Sequence, residues 1–190
     1  HLQDVYAVRF DPNGRYLATG SADKLAMIWQ RQAGDAGSSA GGSGAFGSDN
    51  IENWQRVMTL SGHESDVVDL SWSPDGSMLA TCGLDSTCII WRIPNKRSGH
   101  QFLQPLHRLT HATVVKGVAW DPVGSYVACS SEDGCVSLWR HVKDSDEEET
   151  FTCESRSFEA CKDCRLQTYF RRLSWAPDGL FLACTNAVKD

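Results

Sequence analysis

Short apolar runs alternate with turn-forming residues along most of this chain. Between residues 67 and 109 the pattern predicts four strands: Val67–Trp72, Ser77–Cys82, Thr87–Trp91 and a segment near Pro105–Leu109. The proline of Ser73-Pro74-Asp75-Gly76 presets the φ of a tight turn, and the glycine at its end accepts a positive φ. A second turn, Leu84-Asp85-Ser86, follows the second strand. The sequence therefore predicts a small antiparallel sheet.

The proline-glycine turn occurs in four copies, which indicates a repeated supersecondary unit. The other copies are Asp11-Pro12-Asn13-Gly14, Asp121-Pro122-Val123-Gly124 and Ala176-Pro177-Asp178-Gly179. The second and third copies are 48 residues apart, and the first and second are 62 apart. A period in the forties with four strands per copy is typical of the WD40 β-propeller. We predict an all-β fold, a WD40 β-propeller fragment of about three and a half blades.

The repeats are expected to start near residues 1, 63, 111 and 166 and to occupy residues 1–190 as one incomplete propeller. Insertions are expected at 31–53 and 141–165. Each blade buries its apolar faces against two neighbours, so an open arc of blades leaves two faces in water. We therefore expect an isolated chain of this length to be marginally stable or to self-associate.

A histidine, an aspartate and a tryptophan recur with fixed spacing in three copies. The sets are His1, Asp23, Trp29; His63, Asp85, Trp91; and His111, Asp133, Trp139. Thr19 and Thr81 lie four residues before the aspartate in the first two copies. A hydrogen-bond chain of tryptophan, threonine, histidine and aspartate would satisfy buried polar groups inside a blade. One active site does not need the same set three times, so we expect structural tetrads and no catalytic residue, metal or cofactor.

The third and fourth copies depart from this set. Cys129 replaces the hydroxyl residue in the third copy, and Cys184 replaces it in the fourth. The fourth copy also has Leu166 and Val188 at the histidine and aspartate positions. We expect the fourth blade to have no tetrad and to depend on packing alone.

Composition and charge exclude several classes of protein. The chain is 41% hydrophobic and 22% charged, and no apolar run approaches the roughly 20 residues that span a bilayer. The net charge is −6, and five acids form one run: Asp144, Asp146, Glu147, Glu148 and Glu149. Without this run the chain is nearly neutral and has no basic patch, which disfavours direct sequence-specific binding of nucleic acid. The run is interpreted either as a site for a basic partner or as a solvated loop.

Cysteines and glycines give weaker signals. Five cysteines fall in predicted strands: Cys82, Cys88, Cys129, Cys135 and Cys184. A lone thiol in a strand is a small buried hydrophobe, so we expect a reduced, intracellular chain. Cys161 and Cys164 form a C-x-x-C pair, but a structural zinc site needs four ligands, which favours an ordinary loop. Gly42–Gly47 has the spacing of a dinucleotide fingerprint without the required strand and helix, which indicates a flexible loop.

The turns between the second and third strands define one face of the propeller, which we call the His/Asp face. Loops held by a rigid scaffold commonly bind partners. The candidates chosen by their position beside these turns are Ala22, Lys24, Glu64, Ser65, Asp66, Leu84, Ser86 and Glu132. The acidic run and the first insertion follow third strands and are expected on the opposite face. We expect charge reversal at Glu64 and Asp66 to weaken partner binding without unfolding the blade.

Several segments are more specific than the WD40 pattern. They are Asp23–Trp29, Trp54–Val57, Asp66–Pro74, Val115–Gly124 and Arg172–Gly179. Over essentially the whole chain, these segments resemble the propeller of HIRA-type histone chaperones. The resemblance implies a seven-bladed propeller in a nuclear scaffold for replication-independent nucleosome assembly and transcriptional regulation. It also implies docking of a ubinuclein-like subunit beside other histone chaperone subunits, with core histones bound indirectly and no membrane contact.

Other assignments stay open. The WD-repeat subunit of the replication-coupled chromatin assembly factor is a relative of this family, and ubiquitin-ligase substrate-recognition propellers share the architecture. A propeller enzyme would need convergent acids, bases or metal ligands beyond the tetrads. The remaining histidines, His100, His107 and His141, are scattered, so we expect the chain not to be an enzyme. The acidic run and the Cys161–Cys164 pair depart from the family's pattern, in which this loop is expected to be shorter.

Overall fold

The computed structural model describes residues 1–32, 53–94, 101–143, 149–158 and 168–185. These residues form 15 strands and no helix, which confirms the predicted all-β fold. The strands lie in four sheets, which we call the first to fourth blades in chain order. Nothing helical within these ranges has the length and apolar character to cross a membrane.

Each of the first three blades contains a four-stranded antiparallel meander. The first contains β1 (Val5–Phe10), β2 (Tyr16–Ser21), β3 (Leu25–Gln32) and β4 (Asn53–Ser61). The second contains β5 (Val67–Trp72), β6 (Met78–Gly83), β7 (Thr87–Arg92) and, after the short β8 (Gln101–Leu103), β9 (His107–Thr110). The third contains β10 (Val115–Trp120), β11 (Tyr126–Ser131), β12 (Val136–Lys143) and β13 (Glu149–Ser157). The fourth blade is described by β14 (Leu173–Trp175) and β15 (Leu182–Cys184).

The second blade follows the predicted pattern closely. Its first three strands begin and end within one residue of the predicted positions, and its outer strand is β9. The sequence does not reveal β8, because three residues are too few for a strand period to be read. β8 pairs in parallel with β4, with Gln101 opposite Met58, and adds a fifth strand to the first blade.

Strands extend into both ranges that were predicted as insertions. Arg31 and Gln32 of β3 pair with Trp54 and Asn53 of β4, so the first blade's outer hairpin continues into the range 31–53. The range 141–165 contains the end of β12 and all of β13. The sequence pattern misses β13 because Phe151 is the one large apolar residue in ETFTCESRS.

The proline-glycine turns adopt the predicted backbone conformation. The φ angle is 65° at Gly14, 70° at Gly76, 87° at Gly124 and 74° at Gly179. Aspartate at the start of a turn strengthens it, since Asp121 Oδ1 accepts a hydrogen bond from the Tyr126 N–H at 2.7 Å. Local backbone and side-chain hydrogen bonds thus fix the first hairpin of each blade.

Apolar side chains at the seams between blades form the core. Ile28, Met58, Leu79, Ile89 and Trp91 are fully buried in the cluster that joins the first and second blades. A second cluster joins the second and third blades and a smaller one joins the third and fourth. The blades are therefore held by side-chain packing between sheets, as the repeat architecture requires.

Three buried thiols belong to the second cluster. Cys82 and Cys88 lie opposite each other in the β6–β7 ladder, and both they and Cys129 are fully buried and free. Burial raises the pKa of the Cys82 and Cys129 thiols, which keeps these thiols neutral. Cys135 is also buried and free, and Cys184 is half-buried. The buried cysteines pack as small apolar residues.

The outermost blades carry exposed apolar side chains. Phe10 in β1 is 60% exposed, and Phe181 beside β15 is 72% exposed. Exposed apolar surface favours contact with further protein. Marginal stability or self-association of the isolated chain stays a prediction.

Candidate partner-binding surface

The second blade contains a hydrogen-bond chain that runs from a tryptophan to an aspartate. The Trp91 Nε1–H donates to Thr81 Oγ1 at 2.8 Å, and Thr81 Oγ1 lies 2.7 Å from His63 Nε2. His63 Nδ1 lies 2.9 Å from Asp85 Oδ2. His63 and Thr81 are buried. The chain therefore ties the loop before β5 to the β6–β7 turn and to β7.

The first blade repeats this arrangement. The Trp29 Nε1–H donates to Thr19 Oγ1 at 2.9 Å, and Thr19 Oγ1 lies 2.7 Å from His1 Nε2. His1 Nδ1 lies 2.8 Å from Asp23 Oδ2. The near-identical distances show that the fixed sequence spacing corresponds to one repeated geometry.

The carboxylate of Asp85 fixes the direction of the hydrogen bonds in the second blade. A carboxylate only accepts, so His63 Nδ1 carries a proton and donates it to Asp85. Burial alone would raise the pKa of Asp85, but hydrogen bonds from His63, Thr87 and the Glu64 backbone hold this pKa well below its ordinary value. The turn thus contains a stably ionised carboxylate.

The third blade replaces the predicted tetrad with a different network. His111 Nδ1 donates to the Leu109 carbonyl at 3.0 Å, and His111 Nε2 lies 2.9 Å from Ser137 Oγ. The Trp139 Nε1–H donates to the same Ser137 Oγ at 3.1 Å. Ser137 on β12 therefore supplies the hydroxyl that Cys129 on β11 lacks.

The predicted link between His111 and Asp133 is wrong. Asp133 Oδ1 instead accepts from the Ser131 hydroxyl at 2.7 Å and from the Cys135 N–H at 3.0 Å, bonds that hold the turn locally. Burial lowers the pKa of His111, against a smaller opposing effect of the Asp133 charge. In the fourth copy, Leu166 and Val188 lie outside the described residues.

The β2–β3, β6–β7 and β11–β12 turns share one backbone conformation. The φ angle is 67° at Lys24, 64° at Ser86 and 83° at Gly134. A non-glycine residue in this left-handed region costs free energy, which the hydrogen bonds around the tetrads offset. The loops of the His/Asp face are therefore held in one conformation.

Two predicted contact residues present charged side chains to solvent on this face. Lys24 and Glu64 are exposed, and the Glu64 backbone N–H donates to Asp85 Oδ2 at 2.7 Å. Ala22 and Ser65 are half-buried. Ser86 is half-buried too, and its carbonyl accepts from the His111 N–H at 2.9 Å.

The other candidates take part in the fold itself. Asp66 Oδ2 accepts a hydrogen bond from the Tyr169 hydroxyl at 2.7 Å, and Leu84 packs against the second core cluster. Glu132 Oε1 lies 2.9 Å from the buried Lys116 Nζ. Charge reversal at Asp66 therefore disturbs a tertiary contact, whereas charge reversal at Glu64 removes no side-chain contact described above.

A buried aspartate links the inner strands of several blades. Asp69 Oδ1 lies 3.2 Å from Arg9 Nη2 and 3.6 Å from Arg172 Nε. Asp69 Oδ2 accepts from the Val118 N–H at 3.3 Å. Burial raises the pKa of Asp69 against the opposing effect of both arginines. This cluster was not predicted, although an acidic residue within the apolar run Val67–Trp72 is a signal for it.

The remaining predicted features divide between described and undescribed residues. Glu149 is buried and begins β13, so its assignment to a solvated acidic loop is wrong. Asp144, Asp146, Glu147 and Glu148 lie outside the described residues. So do Cys161, Cys164 and Gly42–Gly47. Within the described ranges, no three His, Cys, Asp or Glu side chains are grouped to hold a metal ion.

Comparison with known proteins places this geometry in a family. The CAF1B/HIR1 beta-propeller domain matches residues 1–189. Protein HIR1 of Cryptococcus neoformans is 44% identical over 191 residues, which cover 99% of this chain and 19% of that protein. Protein HIR1 of Yarrowia lipolytica is 39% identical over 189 residues, which cover 99% of this chain and 17% of that protein. Protein hir1 of Schizosaccharomyces pombe is 38% identical over 188 residues, which cover 99% of this chain and 19% of that protein.

The chain spans less than a fifth of the length of these relatives. The matches nevertheless extend along almost all of the present chain, and they confirm the family resemblance. This chain therefore belongs to the CAF1B/HIR1 β-propeller family.

Proposed function

We propose that this chain is a protein-interaction scaffold of a replication-independent histone chaperone complex, supporting nucleosome assembly and transcriptional regulation in the nucleus. The observation that carries the proposal is identity of 36 to 44% to HIR1 proteins over 99% of the chain. The described geometry supports it, because loops fixed by tetrads lose little conformational freedom when a partner binds.

The proposed partner is a ubinuclein-like subunit, which docks on the His/Asp face. Lys24 and Glu64 provide charges of opposite sign on adjacent blades. Charges at the edge of an interface guide encounter and select the correct partner. Core histones are then bound through other subunits of the complex, not by the propeller alone.

Charge reversal of Glu64 tests this docking face. In the full-length protein, Glu64→Lys is expected to weaken binding of a purified ubinuclein-like subunit about tenfold, a change of about 1.4 kcal/mol. Glu154→Lys is the matched control, since Glu154 is exposed in the outer strand β13 and belongs to none of the turns that define the His/Asp face. Calorimetric titration measures both affinities, and thermal unfolding verifies that both variants fold.

Equal affinities for the wild type, Glu64→Lys and Glu154→Lys would exclude the proposed face. Absence of binding by the folded wild-type protein would exclude the partner. These two outcomes separate an error in the face from an error in the function.

A second candidate is the WD-repeat subunit of replication-coupled chromatin assembly factor. The matched family carries both names, CAF1B and HIR1. Affinity capture from nuclear extract with the full-length protein distinguishes them. Recovery of a ubinuclein-like protein supports the replication-independent complex, and recovery of the large chromatin-assembly-factor subunit supports the alternative.

A further inference from the structure

The first blade has a fifth strand that the other blades lack among the described residues. This strand, β8, pairs in parallel with the outer strand β4, with Met58 opposite Gln101 and Leu60 opposite Leu103. It belongs to the connection between β7 and β9 of the second blade. The outer edge of a blade can therefore bind an extended segment from outside its own meander.

The outer strand of the third blade, β13, is built like β4. Both strands have nine residues. The β3–β4 and β12–β13 ladders also have a bulge at the same place, next to Trp29 and Trp139. The register beyond the bulge makes Ser155–Ser157 of β13 equivalent to Met58–Leu60 of β4, the residues that pair with β8. The bulge does not prevent docking, since β8 binds beyond it on β4.

This edge of β13 is open in the part of the chain that the structure describes. β13 is the last strand of its sheet, and every residue from Cys153 to Ser157 is exposed. An open cleft of 300 Å³ is lined by residues 153–156. The unpaired N–H and C=O groups of an edge strand are a template for a further strand, and partners that add a strand to a sheet gain affinity from these groups.

The side chains along this edge are polar, unlike those around β8. Leu103 of β8 packs against the core cluster that joins the first and second blades, whereas Ser155, Arg156 and Ser157 are exposed. The Arg156 Nε–H contacts Cys153 Sγ at 3.4 Å, and no ion pair joins Arg156 to a described carboxylate. Because opposite charges on neighbouring strands attract, an acidic side chain suits the position beside Arg156.

We propose that the β13 edge, which we define as Ser155–Ser157, binds an extended polar segment of a second partner protein, with an acidic side chain beside Arg156. The segment adds a fifth strand to the third blade, as β8 does to the first. Backbone hydrogen bonds supply affinity, and the charge pair with Arg156 supplies selectivity. The β13 edge includes none of the turns that define the His/Asp face, so this docking is independent of the partner proposed for that face.

Alkylation of the Cys153 thiol reports whether the β13 edge is covered. Cys153 Sγ lies 3.9 Å from the Ser155 carbonyl oxygen, so a strand paired at this point screens the thiol from solvent. After alkylation, trypsin releases residues 144–156 with Cys153 as their only cysteine, and residues 173–189 with Cys184 as theirs. Mass spectrometry therefore measures the rate of reaction with iodoacetamide separately for each thiol.

The probe is a short extended peptide with one carboxylate, acetyl-Thr-Val-Asp-Val-Thr-amide. It is added to the full-length protein up to about 10 mM, because a short strand binds weakly. One matched peptide has lysine in place of aspartate, and another is methylated on its backbone nitrogens and cannot donate hydrogen bonds to the edge. The variant Arg156→Gln removes the charge but keeps an exposed polar side chain.

We expect the acidic peptide to slow alkylation of Cys153 several-fold and in a saturable way. The lysine peptide should have a smaller effect, and the methylated peptide none. Arg156→Gln should reduce the protection by the acidic peptide to that given by the lysine peptide. The rate at Cys184 is the reference and should not change with any peptide.

The proposal is overturned if the acidic peptide does not slow the reaction of Cys153, if the methylated peptide protects equally, or if Arg156→Gln retains full protection. Protection of Cys153 before any peptide is added also overturns it. Such protection identifies a second copy of the chain as the occupant if dilution removes it, and another segment of the same polypeptide if it persists. All these outcomes leave the Glu64→Lys test of the docking face unaffected.

Discussion

Arg92 Nη2 in the second blade lies 2.7 Å from Glu149 Oε2 in the third. The Glu149 side chain is 4% exposed, and its backbone carbonyl accepts a hydrogen bond from His107 Nε2 at 2.6 Å. Glu149 therefore fastens the outer strand β13 of the third blade to β7 and β9 of the second blade. The sequence does not reveal this ion pair, because Glu149 directly follows the acidic residues of 144–148 and was therefore assigned to the same loop.

Removing this ion pair is expected to destabilise the protein. Glu149→Ala deletes a charge-assisted hydrogen bond and should lower the free energy of unfolding by about 1–2 kcal/mol. Glu154→Ala is the control, since Glu154 is exposed and lies 3.9 Å from Arg140, and it should cost less than about 0.5 kcal/mol. Urea unfolding measures both variants, and equal losses would contradict the assigned role.

The Thr81 hydroxyl is expected to be essential to the second blade. Thr81→Val keeps the shape of the side chain but leaves Trp91 Nε1 and His63 Nε2 without their shared partner, which should cost about 2–4 kcal/mol. Thr110→Val is the control, because Thr110 is an exposed strand residue in the same blade, and it should change stability by less than about 0.5 kcal/mol. A small loss in Thr81→Val would show that the hydrogen-bond chain contributes little.

The repeated local features of this fold could be predicted from the sequence. A proline and a glycine at fixed separation specify a turn, and this turn sets the register of the strands on either side. Because the register is constant, the same spacing along the chain brings the histidine and the aspartate together in both blades, as with His63 and Asp85. The tetrads of the first two blades could therefore be predicted without knowing the tertiary structure.

Contacts between blades could not be predicted in this way. The pairs Arg9–Asp69 and Arg92–Glu149 join residues about 60 positions apart, and their geometry depends on how whole sheets pack. The third blade shows a different limit. Asp133 has the correct spacing, but the neighbouring Ser131 hydroxyl and Cys135 amide bind its carboxylate locally.

Acid is expected to destabilise the third blade through His111. Burial lowers the pKa of His111, so the native state binds a proton less readily than the unfolded state, whose histidine pKa is about 6.5. The contribution of neutral His111 is fully present above that pH and is lost as the pH falls through the lower native value. Denaturant unfolding at pH 7.5 and pH 5.5 should show a smaller pH-dependent loss for His111→Gln than for the wild type.

The contribution of Asp85 to stability is lost in a different pH range from that of His111. Its pKa is lowered, so its stabilising contribution is present above the ordinary value of 3.8 and is lost as the pH falls further. The two groups therefore act in separate pH ranges. The same pH dependence in His111→Gln and the wild type between pH 7.5 and pH 5.5 would assign the loss to another group.

Gly117 in β10 lies against the backbone of Arg171, which precedes β14, and this close approach is expected to tolerate only glycine at residue 117. A Cβ added to Gly117 would lie 2.0 Å from the Arg171 carbonyl oxygen, which is backbone and cannot turn aside. The Arg171 N–H also donates to the Lys116 carbonyl at 3.0 Å, so the two segments are held together at this point. Gly117→Ala should therefore separate them and cost about 3 kcal/mol or more.

Gly14→Ala separates this clash from simple backbone strain. Gly14 has a φ of 65°, and a Cβ added there meets no atom within 4 Å. Its substitution should cost about 1–2 kcal/mol, from the left-handed conformation alone. Amide hydrogen exchange at Lys116 and Arg171 should accelerate in Gly117→Ala and stay unchanged in Gly14→Ala, because only the former opens the seam. Equal losses of stability, with exchange unchanged in both variants, would show that the third and fourth blades pack without needing this close approach.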